Sequence, residues 1–419
     1  MYKKNFLPHL LLAVFGTETF CITYGLKSPL LVPVLTFVYF LSGITLSVLF
    51  LLFPSPVIPR WKSLGAARSA RYKAGLALLL AAGIWLLCRD LFANVPVDLE
   101  HADMLPIIRT MDQRFISGHW SHVYDIIPEI WKGSQPIYLP ATWLPFSVPL
   151  LLHLDMRWVT AACVMFIFGI HLVWYHKREL LISVLVPMIA AGLLWWLVTE
   201  NETHGFLTVS EEGMVAVYYV LLVMALLTEQ FWLAAVAISL CMLSRYALIG
   251  WVPAFGLYLL AFRKYKQVLW MTLCGVMLLA GLFILPFGLG PFLQLLQLPG
   301  HYIDFARRVW QDSPEVFSQS MGFAKFYGPG HITALHNSLV LLTFMVPVLF
   351  VAVCIYLSRK WKLRHIPLAA LKLSVVIFFS FIDVPYLYLF YTSSFISLVA
   401  VSCFLFTAWP GQQELPVAR

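Results

Sequence analysis

Charge is what this sequence has least of. Only 11% of its 419 residues are Asp, Glu, Lys or Arg, against roughly a quarter in an ordinary soluble domain. Hydrophobic residues make up 61%, and the mean hydropathy is +0.84. This scarcity excludes a soluble enzyme and leaves an integral membrane protein. Cysteine is sparse and poorly placed for covalent work. All seven (Cys21, Cys88, Cys163, Cys241, Cys274, Cys354, Cys403) lie in apolar stretches with no metal-ligand spacing, so they read as small buried residues rather than disulfides or ligands. Nucleotide-binding and nucleophile motifs are missing too: there is no P-loop, no GxGxxG, no GxSxG and no HExxH spacing among the histidines, which argues against a metal cluster. The first apolar stretch has no small-residue cleavage site after it and carries Glu18 within it, so it is expected to be a membrane span rather than a secretory signal. No repeat runs along the chain, which counts against the transporter folds built from internal repeats.

The little charge present is sorted. Lys and Arg cluster in short loops: Lys3 and Lys4; Arg60, Lys62, Arg68, Arg71 and Lys73; Lys177 and Arg178; Arg263, Lys264 and Lys266; Arg359, Lys360, Lys362 and Arg364. Acids fill the alternate loops: Asp98, Glu100, Asp103, Asp112, Asp125, Glu129 and Asp155; Glu200, Glu202, Glu211 and Glu212; Asp304, Asp312 and Glu315. Positive loops stay cytoplasmic. The net charge of +8 is therefore a topology signal, with anionic lipid headgroups as partners and no role for nucleic acid.

A helix crosses the bilayer with about twenty apolar residues. On that measure, about twelve spans are expected near 7–26, 31–53, 74–92, 157–174, 180–199, 214–228, 231–245, 249–262, 267–286, 336–357, 366–383 and 386–408. The fold class is thus an all-α integral membrane bundle, with residues 1–408 forming one polytopic domain and 409–419 a cytoplasmic tail. Both termini are expected in the cytoplasm, and the loops at 93–156, 200–213 and 287–335 together on the outer face.

The first outer loop has structure of its own. Met104, Ile107, Ile108, Met111 and Phe115 recur at helical spacing, with Arg109, Asp112, Gln113 and Arg114 opposite, as in an amphipathic helix on a membrane surface. Ser117 and Gly118 end it. The apolar, proline-rich stretch 138–154 is too short and broken to span, and fits a re-entrant segment. The loop at 287–335 opens apolar, continues through Tyr302–Arg308 and turns at Gly328-Pro329-Gly330.

Several residues offer chemistry. Asp103, where the loop becomes the surface helix, is the leading general-base candidate, or an acid that the helix dipole favours at a helix start; Asp98 and Glu100 are the competing bases, or solvated loop acids. Arg245, in Leu243-Ser-Arg-Tyr-Ala247, suits either a snorkelling end or a guanidinium holding a phosphate. Arg307 and Arg308 carry the same chemistry on a helix face. Asp383 ends a span beside Pro385, Tyr386 and Tyr388, as a functional acid or a helix-end acid bonded to a tyrosine. Glu211 and Glu212 open a span, as helix-start acids or site residues. Lys372 is expected to snorkel from its span.

The order of these pieces resembles a known family. Val97-Asp-Leu-Glu100 and Ala102-Asp-Met104 precede an amphipathic helix ending Arg114-Phe-Ile-Ser-Gly118, followed by Tyr124 and by Tyr138-Leu-Pro-Ala-Thr-Trp-Leu-Pro145. This is similar to the polytopic GT-C glycosyltransferases, in particular the mannosyltransferase-like branch that uses polyprenyl-phosphate sugars; Phe317-Ser-Gln-Ser-Met-Gly322 faintly resembles a loop signature of that branch. The motif covers about fifty residues and the topology most of the chain, while the paired Asp-Glu of some branches is absent, which leaves any metal requirement open. The resemblance implies outer-loop surface helices, Asp103 as base with Asp98 as the alternative alignment, and no cofactor. It implies a polyprenyl-phosphate-linked sugar donor, a glycan, lipid or protein acceptor, Arg245 on the departing phosphate, and an inverting displacement. Tyr124, Trp143, Glu212, Asp383 and Tyr386 are the further substrate-site candidates. A bacterial plasma membrane is the expected setting. The competing readings are a transporter or lipid flippase, with Arg245, Lys372 and Asp383 along its path, and a non-catalytic scaffold.

Overall fold

The computed structural model describes residues 3–25, 30–54, 67–99, 103–130, 133, 136–174, 180–199 and 205–407. Glu100, Lys177, Arg178, residues 200–204 and the tail at 409–419 lie outside them. The described chain is helical, with no strand among the described residues.

Fourteen long helices carry the architecture: α1 Lys3–Gly25, α2 Val32–Phe50, α3 Ala67–Asn94, α4 Met104–Ile116, α5 Trp158–Trp174, α6 Leu180–Thr199, α7 Glu212–Thr228, α8 Phe231–Met242, α9 Trp251–Ala261, α10 Tyr265–Leu279, α11 Leu289–Asp312, α12 Ile332–Ser358, α13 Ile366–Phe381 and α14 Tyr391–Thr407. A helix stands at each of the twelve apolar stretches read from the sequence. Among the described residues, six segments are long and apolar enough to cross a membrane: Phe6–Thr23, Val32–Phe50, Ala74–Asn94, Tyr265–Phe287, Pro329–Ser358 and Leu387–Leu405. The other apolar helices are shorter.

Breaks between helices have local causes. The αL backbone of Glu229 (φ 54°) ends α7, its N–H reaching Ala225 O, and Gln230 turns the chain into α8. Pro33 and Pro367 sit in the first turns of α2 and α13, where no intrahelical N–H is needed. Apolar helices gain little from hydrophobic contact in lipid and associate through close packing of small residues. Gly43 on α2 meets Val376 of α13, Gly213 on α7 meets Thr160 of α5, and Gly250 before α9 meets the backbone of Thr343 and Phe344 in α12.

Burial ranks the helices. The segment containing α14 is 94% buried, against 6% for the one containing α10. α14 is thus the central post, in contact with α1, α5, α7 and α13, while α10 leans on α8 at the periphery. A polar cluster crosses this interior: Lys372 Nζ donates to Glu18 Oε1 (2.5 Å), Ser393 Oγ (2.6 Å) and Ser393 O (2.9 Å). Lys372 therefore does not snorkel. It is fully buried, because a matched carboxylate from α1 and a hydroxyl from α14 replace the water it would otherwise seek. Arg157 is another buried cation that the pattern did not mark. It donates to Val95 O (2.6 Å), Phe92 O (2.9 Å) and the Asp155 carboxylate, pinning the end of α3 to the start of α5.

One end of the bundle carries a helical layer. α4 lies where the sequence placed an amphipathic helix and buries Met104, Leu105, Ile107, Ile108 and Met111. Asp112, read as part of its polar side, is instead fully buried. The stretch 138–154 breaks into the short helical pieces Pro140–Trp143, Leu144–Phe146 and Ser147–Leu151, which pack on α4 and widen its covered face. The loop at 287–335 contains α11, a continuous helix of 24 residues. Its second half builds a small separate core with Phe317, Ala324, Ile332, Leu335 and Val384.

Candidate active site

A cavity of about 360 Å³ opens in this end layer. Its walls come from segments far apart in sequence: Asp103 and Ile107 of α4, Tyr138, Glu211, Arg245, Tyr302 and Arg308 of α11, and Tyr386 and Tyr388 between α13 and α14. Two hydrogen bonds fix the segments of Tyr138 and Arg245 to each other, and a third ties the first of them to α7. Ala141 N donates to Leu243 O (3.0 Å), Thr142 Oγ1 to Ser244 O (2.9 Å), and Tyr218 OH to Ala141 O (3.0 Å). They hold the chain after α8 open, with Arg245 extended (φ −149°, ψ 147°) before the next turn at Tyr246–Leu248. An extended residue between two helices can send its side chain sideways into the layer.

That side chain meets both glutamates at the start of α7. Arg245 Nη2 donates to Glu211 Oε1 (2.5 Å), Nε donates to Glu212 Oε1 (2.7 Å), and Nη2 also reaches Glu212 Oε1. Thr392 Oγ1 donates to the other oxygen of Glu212 at 3.4 Å. Burial pushes the Glu211 carboxyl up and its second glutamate neighbour adds to this, while Arg245 opposes both. The hydroxyls of Tyr138 and Tyr302 are pushed up mainly by burial and also by nearby carboxylates, among them Asp103. They remain protonated donors.

The structure brings together five of the residues singled out in the sequence: Asp103, Glu211, Arg245, Arg308 and Tyr386 all line the cavity. Asp103 is 9% exposed and stands immediately before α4, at its N-cap, with no side-chain capping hydrogen bond. The others fall elsewhere. Asp98 is half-buried and outside the lining, and Glu100 lies outside the described residues. Arg307 pairs with Asp304 (2.9 Å) and bonds Thr333 (3.1 Å) on an exposed face. Trp143 Nε1 donates to Tyr124 OH (3.1 Å), and the two rings pack with Phe287 as an aromatic core rather than a cavity wall. Glu212 is buried behind Arg245. Asp383 bonds not a tyrosine but His336, whose Nδ1 lies 2.6 Å from Oδ2.

Tyr138, Tyr302 and Tyr388 add hydroxyls to the lining, beside aliphatic side chains such as Ile107, Ile137 and Ile382. The Glu211-Glu212 pair was visible as a span opening, but nothing local showed that it faces Asp103. No group of three or more His, Cys, Asp or Glu side chains among the described residues is placed to hold a metal ion.

A second, apolar cavity of about 520 Å³ adjoins this wall, lined by α8, α9 and α10. The same segments separate the two: Tyr138 and Arg245 face the polar cavity, while Leu139, Pro140, Leu243 and Tyr246 face the apolar one. Its lining runs along α10 and beyond from Val268 to Phe283, about 22 Å at helical rise. No protein-family model, no curated protein and no solved structure matches the chain.

Proposed function

We propose that the chain is a polytopic membrane glycosyltransferase of GT-C type, moving a sugar from a polyprenyl-phosphate donor to an acceptor hydroxyl. The observation that carries this reading is the shared wall between a tyrosine-rich polar cavity holding Asp103 and a long apolar groove. A substrate with a sugar-phosphate head and a hydrocarbon tail fits that pair, with the tail among α8, α9 and α10 and the head beside Asp103.

In the proposed reaction, Asp103 accepts the proton of the acceptor hydroxyl as its oxygen attacks the anomeric carbon. The bond from that carbon to the phosphate oxygen breaks, and the polyprenyl phosphate leaves with the electron pair. Attack opposite the leaving group inverts the centre. Arg308 at the rim, with Arg245 behind it, offers positive charge where the phosphate departs, the place where fixed charge contributes most. Arg245 holds this charge in place through its two carboxylates, and Arg308 adds to it from the other side of the lining. The acceptor is a glycan, lipid or protein hydroxyl, and anionic lipids surround the basic loops.

The twelve-pass arrangement, with both termini cytoplasmic and the cavity on the outer side of a bacterial plasma membrane, belongs to the same proposal. The charge sorting along the sequence supports it. A transport reading draws on one observation, the buried Glu18–Lys372 pair inside the bundle, since intramembrane ionisable residues mark pathways in many transporters.

The test uses purified protein in lipid with labelled polyprenyl-phosphate sugars and an envelope acceptor fraction. Wild type transfers sugar, and a folded Asp103→Asn variant loses about 100-fold or more of the rate, the size of a general-base contribution. Transfer that survives in Asp103→Asn moves the base to another acid. No transfer from any donor by folded wild type makes transport the leading reading.

A further inference from the structure

Arg245 is held along one side only. Its Nη2 donates to Glu211 Oε1 (2.5 Å) and its Nε to Glu212 Oε1 (2.7 Å), so two carboxylates fix the plane of the guanidinium. Its Nη1 donates to nothing among the described residues, and it is not among the buried atoms left without a partner. The Arg245 side chain is 18% exposed and lines the polar cavity, whereas those of Glu211 and Glu212 are 1% and 0% exposed. A ligand in the cavity therefore meets the free edge of the guanidinium, and the carboxylates behind it act on that ligand through their charge alone. The N–H bonds of a rigidly held, positively charged nitrogen call for an oxyanion.

The charge of this unit is unbalanced. One guanidinium between two ionised carboxylates leaves one negative charge in excess. Arg308, the other cation of the lining, is exposed and screened by water. Asp304 is exposed and paired with Arg307, and Asp103 adds a further carboxylate. The excess thus stays uncancelled where it is buried, and it opposes any anion drawn to Nη1. Protonating one of the two glutamates removes that opposition. Glu211 can take the proton without losing a contact, because Oε1 keeps the bond to Arg245 and Oε2 has no partner among the described residues. Burial lifts its carboxyl to about 7, against the pull of Arg245 and with Glu212 adding to the rise. The other groups facing it are Tyr138, Tyr302, Tyr386 and Tyr388. Phenols ordinarily titrate at about 10, so these exchange no proton around neutrality.

We propose that the anionic head group binds Arg245 Nη1 together with one proton, which the Glu211–Glu212 pair takes up. This rests on the glycosyl-transfer reading and adds how its phosphate-binding arginine is switched on. When the sugar has moved, the phosphate carries one charge more than it did in the donor. A proton already held behind Arg245 leaves the guanidinium's charge available to meet it.

The probe is farnesyl methyl phosphate, a lipid phosphodiester without a sugar, whose single charge is constant around neutral pH. Its binding to the purified full-length protein in detergent is followed by calorimetry at pH 6, 7 and 8, each in two buffers of different ionisation heat. With wild type, proton uptake rises from about one-tenth per bound ligand at pH 6 to about nine-tenths at pH 8. Over the same range Kd weakens about tenfold, as linkage to one group titrating at about 7 requires. Glu211→Gln shows no uptake and a flat Kd, and at pH 8 it binds about tenfold more tightly than wild type. A merely structural role for Glu211 would weaken binding at every pH and leave the slope unchanged, and that result overturns the proposal. If Glu211→Gln fails to fold, Asp103→Asn decides: uptake that persists in it supports the pair, and uptake that vanishes assigns the proton to Asp103 and overturns the proposal. Wild type that transfers sugar but binds the probe without uptake, or not at all, sinks only the coupling. Wild type inert in transfer with every donor sinks the glycosyl-transfer reading, and this proposal with it.

Discussion

Both carboxylate oxygens of Asp112 are buried without a hydrogen-bond partner among the described residues, and burial pushes the group up to about 9. An unfolded chain ionises the same side chain near 4. The folded state therefore holds a proton that the unfolded state releases across this window. Its contribution to stability is fully present below about pH 4 and is lost as pH rises towards 9. Asp112→Asn removes the titration, so its thermal unfolding in detergent should gain on wild type between pH 5 and pH 8. An equal pH slope in the two proteins would contradict this. Periodicity put Asp112 on the polar side because Arg109, Gln113 and Arg114 are its neighbours. That inference assumed one covered face, whereas Ser147–Leu151 and its adjoining turns cover α4 more widely.

At the scale of elements, the contacts that decide packing are made where a side chain is missing. A methyl group on Gly250 would collide with the backbone of Thr343 and Phe344 in α12, whereas on Gly43 it would meet only the side chain of Val376. Backbone can yield only by moving a turn of α12, whereas the valine can yield locally, at the cost of leaving its preferred rotamer. Gly250→Ala should therefore destabilise by about 3 kcal/mol or more and Gly43→Ala by about 1–3 kcal/mol, the range for overpacking. Unfolding temperatures of the two variants in one detergent check the order, and equal losses would contradict it. The helices themselves were legible because long apolar runs mark them directly. α11 was not, because its length depends on the small core beneath its second half. Lys372 was misjudged for a related reason: its partners, Glu18 and Ser393, belong to other helices.

At the scale of the molecule, alternating basic and acidic loops predict that Gly133 and Lys264 lie on opposite sides of the membrane. Single cysteines at these positions, with Cys274 replaced by Ala, should differ in reaction with an impermeant thiol reagent added to intact cells. Gly133→Cys should react and Lys264→Cys should not; the same reactivity at both would overturn the twelve-pass arrangement. The site was partly legible at this scale. Asp103 and Arg245 stood out singly, but their meeting in one cavity depends on how segments from α4, α7, α8, α11 and the turn before α14 converge, and no local pattern encodes that convergence. The apolar groove was hidden for the same reason, since its lining looks like any other lipid-facing helix.

The buried pair between α1 and α13 also sets a timetable. Glu18 emerges 354 residues before Lys372 and 375 before Ser393. At about 5–20 residues per second, a ribosome needs roughly 20–75 s to cover that interval. Throughout it, the first helix carries an acid whose counter-charge has not been translated. A nascent chain thus carries a carboxylate that lipid does not pair, until α13 brings Lys372 and α14 brings Ser393 against it.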